Sequence, residues 1–466
     1  MRETLPVVVR DAIKLLEQGK YKQCLEGIIG NKIQLAHPIL FVVEGACYSK
    51  LGEPRAALVS YRCALEHPNN HAIIFNNMGN IHRQLSEYDH ALRCFERALE
   101  IQPNVAAFHS NYGNCCLDFA KVEKAKKAFD AAISLDASSI SALRGRAKCF
   151  QALSDFDAAL VDYFKILEVE PGNKEAIEAL VYIFSISRIE HKNGNTIIDI
   201  NNALNSISLS VDLFETPHFG GLEDLLRHCS VVSSGLPINF EIQASQLYKF
   251  NSTDLNCRRH KAIFDTENII PQFCFNCYKV QVDLASISDC IKLYIYFSQL
   301  ELPLSNCRKT MVELRDDIPG FYKGLIYCQV LDDANMIRDR LSQDLPLILT
   351  HKYRVAVKRG CSEYPVAFPM YSNINAEGLF DFEYPASWNH IEVKFDTAVR
   401  SSPFILRTES IIDFNIYDFL VMRNWVNYGV GAGDLEALEL QKYFGGNDVF
   451  IELGRQRSMR YGGLMS

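Results

Sequence analysis

The feature that most limits what this chain can fold into is a repeat. Written in steps of 34 residues, glycines fall at Gly45, Gly79 and Gly113, and Ala147 takes the same place in a fourth copy. Twelve residues further on stand Ala57, Ala91, Ala125 and Ala159. Four beyond those are Tyr61, Phe95, Phe129 and Tyr163, and then Ala64, Ala98 and Ala132, with Ile166 in the last copy. A period of this length marks a supersecondary unit that cannot bury its apolar face alone and so must stack on its neighbours. Small residues at two fixed places let paired helices approach, while the aromatic fills the space between one hairpin and the next. Pro103 and Pro171 stand where helices must stop. The spacing predicts a right-handed array of helical hairpins over Pro38–Gly172, a degenerate hairpin upstream over Ala12–Ile29, and a terminal helix over Lys174–Arg188 that covers the last apolar face.

This pattern resembles the tetratricopeptide repeat (TPR), with two departures: the usual tryptophan is absent and Cys116 takes an aromatic position. The resemblance implies an all-α solenoid over residues 1–189 that binds a protein or peptide along the concave wall made by the first helix of each hairpin. Two copies read FNNMGN and SNYGN there, placing Asn77 and Asn111 at one equivalent position and Asn80 and Asn114 at another. One amide donates and accepts at once, so a ladder of them can hold an extended main chain. This is similar to the asparagine ladders of peptide-binding members of the family. Arg83, Arg144 and Lys148 fall nearby by helical spacing and suit a carboxylate. The plainer alternative is that all of these are solvated polar residues on exposed helices.

At 466 residues the chain suits two or three domains. Its net charge of −8 argues against a surface built wholly to sheath a polyanion. The start carries charges on both sides of a short apolar run, which does not read as a secretory signal, and no run of about 18 apolar residues suggests a membrane span. Fifteen cysteines without a regular framework suggest a reducing compartment, with the cytoplasm as the expectation.

After Ile189 the helical period is lost, and residues 190–213, rich in Asn, Ser and Ile, read as a linker. Residues 214–277 read as a connecting segment, with a helix over Gly221–Val232 and a strand over Pro237–Ala244. It carries Cys257 and His260, then, after thirteen residues, Cys274 and Cys277. Two such pairs can converge on one tetrahedral ion, so zinc in a closed structural site is the expected cofactor, with an iron–sulfur cluster as the less usual choice. Against both stands chance pairing in a cysteine-rich chain.

From Tyr278 the order of elements is legible. YKVQVDL alternates as a strand, SISDCIKLYIYFSQL has a helical period with Ser286 as N-cap, and RKTMVELR and FYKGLIYCQV are strands. A helix over Asp332–Leu345 and the strand YRVAVKRG come next. This βαββαβ order over 278–361 resembles the ferredoxin-like fold, making the expected whole a multidomain protein, an all-α solenoid followed by an α+β domain.

One use of that fold is RNA binding. Lys323, Gly324 and Tyr327 fit the RNA-recognition strand motif, but Leu325 and Val330 stand where stacking aromatics belong. If the strands carrying Arg308, Lys309 and Arg315 and those carrying Lys352, Arg354, Lys358 and Arg359 adjoin, their charges cluster; edge-strand protection is the favoured account of them. Cys361 follows a glycine turn among Lys358, Arg359 and Glu363 and is a candidate nucleophile, with His351 at the other end of its strand, although a buried or inert thiol is the favoured account. Residues 362–466 read as an α+β extension, with strand-like HIEVKFD and SPFILRTES, a glycine-rich loop NYGVGAGD, a helix near Asp434–Tyr443 and a mobile basic end. The function these readings favour is an adaptor or scaffold whose repeats recruit a protein partner. An enzyme acting on the recruited macromolecule and an RNA-binding protein are the alternatives.

Overall fold

A computed structural model describes residues 5–31, 37–67, 71–189, 194–209, 220–237, 240–250, 257–315, 318–372, 384–399 and 411–461. The chain divides into two compact units, Met1–Pro171 and Gly172–Ser466.

The first unit is a series of antiparallel helix pairs: α1 (Val7–Glu17) with α2 (Tyr21–Asn31), α3 (Pro38–Lys50) with α4 (Pro54–Leu65), α5 (His71–Gln84) with α6 (Tyr88–Ile101), α7 (Ala106–Asp118) with α8 (Val122–Leu135), and α9 (Ile140–Ala152) with α10 (Phe156–Val169). The upstream hairpin is therefore complete. The repeat positions explain the packing directly. A Cβ built on Gly45 would lie 2.8 Å from the Tyr61 ring, one on Gly79 2.7 Å from Phe95, and one on Gly113 2.8 Å from Phe129. A Cβ on Gly145, in the next hairpin, would also strike Phe129. Each aromatic is thus clamped against the first helix of its own pair, and Phe129 against the next pair as well. The alanines at the other small position, Ala57, Ala91, Ala125 and Ala159, are fully buried.

The second unit opens with α11 (Lys174–Ile186), α12 (Thr196–Asn205) and α13 (Gly220–Ser233), followed by β1 (Gln246–Lys249), α14 (Cys257–Glu267), β2 (Tyr278–Leu284), α15 (Ile287–Gln299), β3 (Arg308–Val312), β4 (Tyr322–Cys328), α16 (Leu331–Ile348) and β5 (Tyr353–Arg359). It closes with α17 (Tyr364–Ala367), α18 (Ala386–Val399), α19 (Ile416–Ala432), α20 (Leu435–Phe444) and α21 (Asp448–Tyr461). The five strands form one antiparallel sheet in the order β1-β3-β4-β2-β5. Val280, Val282, Gly324 and Ile326 face the helices, and Gly324 is needed there because a Cβ would strike Leu293 and lie 2.9 Å from Phe297 of α15. Ser286 caps α15 as its sequence suggests, accepting from the Asp289 amide.

Several expectations are corrected by the structure. The helix after Gly172 lies in the second unit, where α11 packs on α19. The 190–213 stretch contains α12, capped by the Asn195 side chain accepting from the Ile197 and Ile198 amides. The strand expected over Pro237–Ala244 forms later, as β1, because Asn424 and Trp425 of α19 take the carbonyls of Ile242, Ala244 and Ser245 as acceptors. HIEVKFD is helical, and SPFILRTES lies outside the described residues. The described part of 362–466 therefore carries helices where an α+β extension was expected. NYGVGAGD is the end of α19 plus its cap, with Gly433 at φ 84°. Gly431 and Gly454 let α19 and α21 cross with backbone against backbone, since a Cβ on either would meet a carbonyl of the other helix. The basic end is helical through Tyr461. Strands β3 and β5 do not adjoin, since β4 and β2 lie between them. Arg308 and Arg359 instead turn inward to donate to the carbonyls of Phe297 and Phe275.

Candidate functional site

In the first unit the first helices of successive pairs contact one another, α3 with α5, α5 with α7 and α7 with α9, so they form a continuous wall. On α5 the residues Gly79, Ile81 and Ala72 point into the core, which turns Asn77, Asn80 and Arg83, three residues apart, along another face. The corresponding residues of α7 are Asn111, Asn114 and Leu117, with Asp118 next to the last. Two bonds join these faces. Asn111 Nδ2 donates to Asn76 Oδ1 at 2.9 Å, and Arg83 Nε lies 3.6 Å from Asp118 Oδ2. Asn76 in turn donates to Asn77 Oδ1 at 3.4 Å, and the Asn77 amide also reaches the Tyr61 hydroxyl.

The four asparagines singled out by register therefore separate into two kinds. Asn77 and Asn111 spend amide capacity inside the protein, through Asn76, whose role the repeat pattern does not announce. Asn80 and Asn114 are half-buried, and their side chains have no hydrogen-bond partner among the described residues. Arg83 is engaged by Asp118, Arg144 is half-buried, and Lys148 is exposed on α9. Arg146, between the two in sequence, is a structural bolt. It donates to Asp162 at 2.6 and 2.8 Å and to Asp130 at 2.8 Å, tying α8, α9 and α10 together. Burial pushes the Asp130 carboxyl up, but hydrogen bonds from Arg146 and Lys126 outweigh it and hold the group below its ordinary value. The signal for this bolt is in the sequence: the 16-residue offset that sets Gly79 on Phe95 also sets Arg146 on Asp130 and on Asp162.

The four residues expected to hold zinc, Cys257, His260, Cys274 and Cys277, all lie in the second unit. Cys257 is exposed at the start of α14, and the His260 ring is stacked on Phe273 with centroids 5.3 Å apart. Cys277 is buried with its sulfur against Gly360. Cys274 lies in an apolar pocket with Ile270, Tyr364 and Tyr371, its sulfur 3.4 Å from the Tyr364 hydroxyl. Among the described residues no group of three or more His, Cys, Asp or Glu is placed to hold a metal ion.

What the fold brings to Cys274 is Cys361, packed against the same pocket from the far end of β5. A hydrogen bond from the Cys274 thiol holds Cys361 below its ordinary value despite burial, and the same contact pushes Cys274 up. The two thiols thus form a hydrogen-bonded pair with Cys361 as the acceptor. His351 has no part in this. It sits before β5, with Nδ1 3.2 Å from Asp289 and Nε2 3.2 Å from Glu436, and the length of that strand, about 20 Å at roughly 3.3 Å per residue, separates it from Cys361.

Comparison with known proteins bears on the first unit. Residues 72–105 match the family model of the tetratricopeptide repeat. Among solved structures, the chain is similar to PilF of Pseudomonas aeruginosa (18% identity, 38% of this chain and 81% of that one, TM-score 0.35). It is also similar to YrrB, described as a TPR protein with an unusual peptide-binding site (17%, 37% and 89%, TM-score 0.32). A third is the first TPR of Spaghetti (RPAP3) bound to the HSP90 peptide SRMEEVD (27%, 24% and 89%, TM-score 0.24). No curated protein matches the chain. Residues 72–105, which hold α5 and α6, are thus a tetratricopeptide repeat, and the helix pairs on either side follow the same 34-residue step. Among the described residues no helix is long and apolar enough to cross a membrane.

Proposed function

We propose that the protein is an adaptor whose TPR unit grips an extended segment of a partner protein along the wall of first helices, with Asn80 and Asn114 as the main-chain clamps. The observation that carries this reading is the pairing of two register-equivalent amides, half-buried and without a partner among the described residues, on adjoining helices. An amide that bonds no other part of the protein has its donor and acceptor open to a peptide backbone. Lys148 and Arg144 on α9 supply positive charge further along the wall, suited to an acidic side chain or a carboxylate of the guest. The peptide-binding site named for YrrB and the HSP90 peptide named with Spaghetti are in keeping with this use of the fold.

The second unit is the part that the recruited partner meets or that acts on it. Its strand order, β3-β4-β2-β5 with α15 and α16 against β2 and β4, supports reading its core as ferredoxin-like. A second reading, that this unit modifies the recruited macromolecule, is favoured by the Cys361–Cys274 pair, with Cys361 as the nucleophile. The cysteine-rich composition suits the cytoplasm.

The test uses the whole chain to select peptides from a displayed random library, then measures the selected peptides against the Asn80→Ala/Asn114→Ala variant. Affinity is expected to fall at least about tenfold with the unfolding temperature unchanged. Equal affinity for both proteins would remove the asparagine clamp.

A further inference from the structure

The sheet face turned away from α15 and α16 has an unusual composition for a shielded surface. Register places Lys309 of β3, Lys323 of β4, and Lys279 and Lys358 of β2 and β5 on that face, the last two directly opposite one another. Three of these are almost sealed from solvent: Lys279 is 8% exposed, Lys309 9% and Lys323 2%. The acids on the same face are already engaged. Asp283 takes Arg354 at 2.9 Å, and Glu313 takes Arg315 at 2.8 Å with Lys323 at 3.7 Å. Among the described residues no carboxylate pairs with Lys279, Lys309 or Lys358; Lys279 donates only to the Gly360 carbonyl, at 3.0 Å.

Like charges set opposite each other on neighbouring strands repel, and the nearby carboxylates offset this only in part, Glu313 acting on Lys309 and Lys323, Asp283 on Lys323 and Lys358, and Glu363 on Lys279. The alternative of edge protection is ruled out for Lys309, Lys323 and Lys279, because their strands are interior to the sheet and the side chains are covered. Burial pushes the Lys309 and Lys323 ammonium groups down to about 8, with Lys279 adding repulsion at both. An anion bound among these lysines would relieve their mutual repulsion. Between the lysines the floor is apolar at Leu325, and two tyrosines share the face, Tyr327 on β4 and Tyr248 on β1, the latter with its ring centroid 5.6 Å from Lys309 Nζ.

We propose that this face is a binding site for a small phosphate-bearing molecule, whose phosphates the four lysines neutralise and whose planar ring lies against the tyrosines. The chemistry fits a nucleoside di- or triphosphate better than a length of nucleic acid. A strand needs an open, solvated platform, and these ammonium groups are enclosed. Lysine, a compact point charge, suits terminal phosphates without the planar geometry a guanidinium demands. The site lies wholly in the second unit, so it stands or falls independently of peptide binding by the repeats.

The experiment is calorimetric titration and thermal unfolding of the full chain at pH 7 with adenosine triphosphate, inorganic triphosphate and adenosine. Both triphosphates are expected to bind saturably and raise the unfolding temperature, the nucleotide at least about tenfold more tightly, with adenosine alone inert. Binding should weaken as pH passes about 8 and Lys309 and Lys323 lose their protons. Lys309→Met is the deciding variant. If the lysine is held there for a ligand, its loss raises the unfolding temperature of the empty protein and abolishes the response to triphosphate. No response of the natural chain to either triphosphate would overturn the proposal. So would a Lys309→Met protein that is less stable yet responds unchanged, or a short single-stranded RNA that binds far more tightly than the nucleotide.

Discussion

The two units are stabilised by opposite means. The repeat unit buries aliphatic and aromatic groups at positions fixed by a 34-residue step, and its chief polar interior feature is the Arg146 bolt with both its acids. The second unit buries charge freely. Lys249 and Asp418 pair at 3.1 Å with both side chains 3% exposed, and Arg308 and the sheet lysines lie under cover as well. In the first unit each contact is made by residues close in sequence and repeated; in the second, partners such as Lys249 and Asp418 lie 169 residues apart. Damage should therefore stay local in the first unit and spread in the second, because a buried charge that loses its partner destabilises everything packed round it.

The comparison is tested most severely by Phe129→Ala. It removes the ring clamped between two hairpins and should cost roughly 3–5 kcal/mol, seen as an early loss of helix in thermal unfolding while the second unit's transition holds. If both transitions fell together, the units would not be independent. Asp418→Ala strands Lys249 and should cost about 3 kcal/mol or more, whereas Asp418→Leu with Lys249→Met should restore most of the loss in denaturant titration. A double variant as unstable as the single one would mean that the pair is needed for more than mutual neutralisation. Gly79→Ala pushes a methyl into Phe95 at 2.7 Å and should cost roughly 1–3 kcal/mol.

A smaller effect comes from acid. The Asp130 carboxyl is held below its ordinary 3.8 in the folded chain. A depressed folded value means the stabilisation is whole above about pH 4 and is lost as pH falls through the folded value. The first unit's unfolding temperature should therefore drop in that window, and Asp130→Asn should flatten the drop. Smallest of all, Asn80→Ala and Asn114→Ala should each change stability by less than about 0.5 kcal/mol, which makes their effect on peptide affinity readable without correction.

Much of this molecule is legible in its sequence where pattern and packing coincide. The 34-step glycines announce the aromatic clamps because one helical face repeats without change. The βαββαβ order comes from alternation in YKVQVDL and a helical period after Ser286. The failures have particular causes. HIEVKFD alternates in its apolar residues, yet α18 is held by Trp388, Glu392 and Asp396, one turn apart, which meet Phe275, the Gln272 amide and Arg259. The helical signal lies in polar anchors whose partners stand more than a hundred residues upstream. NYGVGAGD reads as a loop because glycines weaken helices, but here they permit two helices to touch.

The sequence by itself determined the repeat, the register of the asparagines, and the order of strands and helices between Tyr278 and Arg359, because local spacing governs all three. Only the tertiary structure decided which asparagines keep free amides, which cysteine meets Cys361, and that four lysines from four strands share one covered face. Those outcomes depend on which distant segments become neighbours, and strand order and burial set that after the local elements have formed.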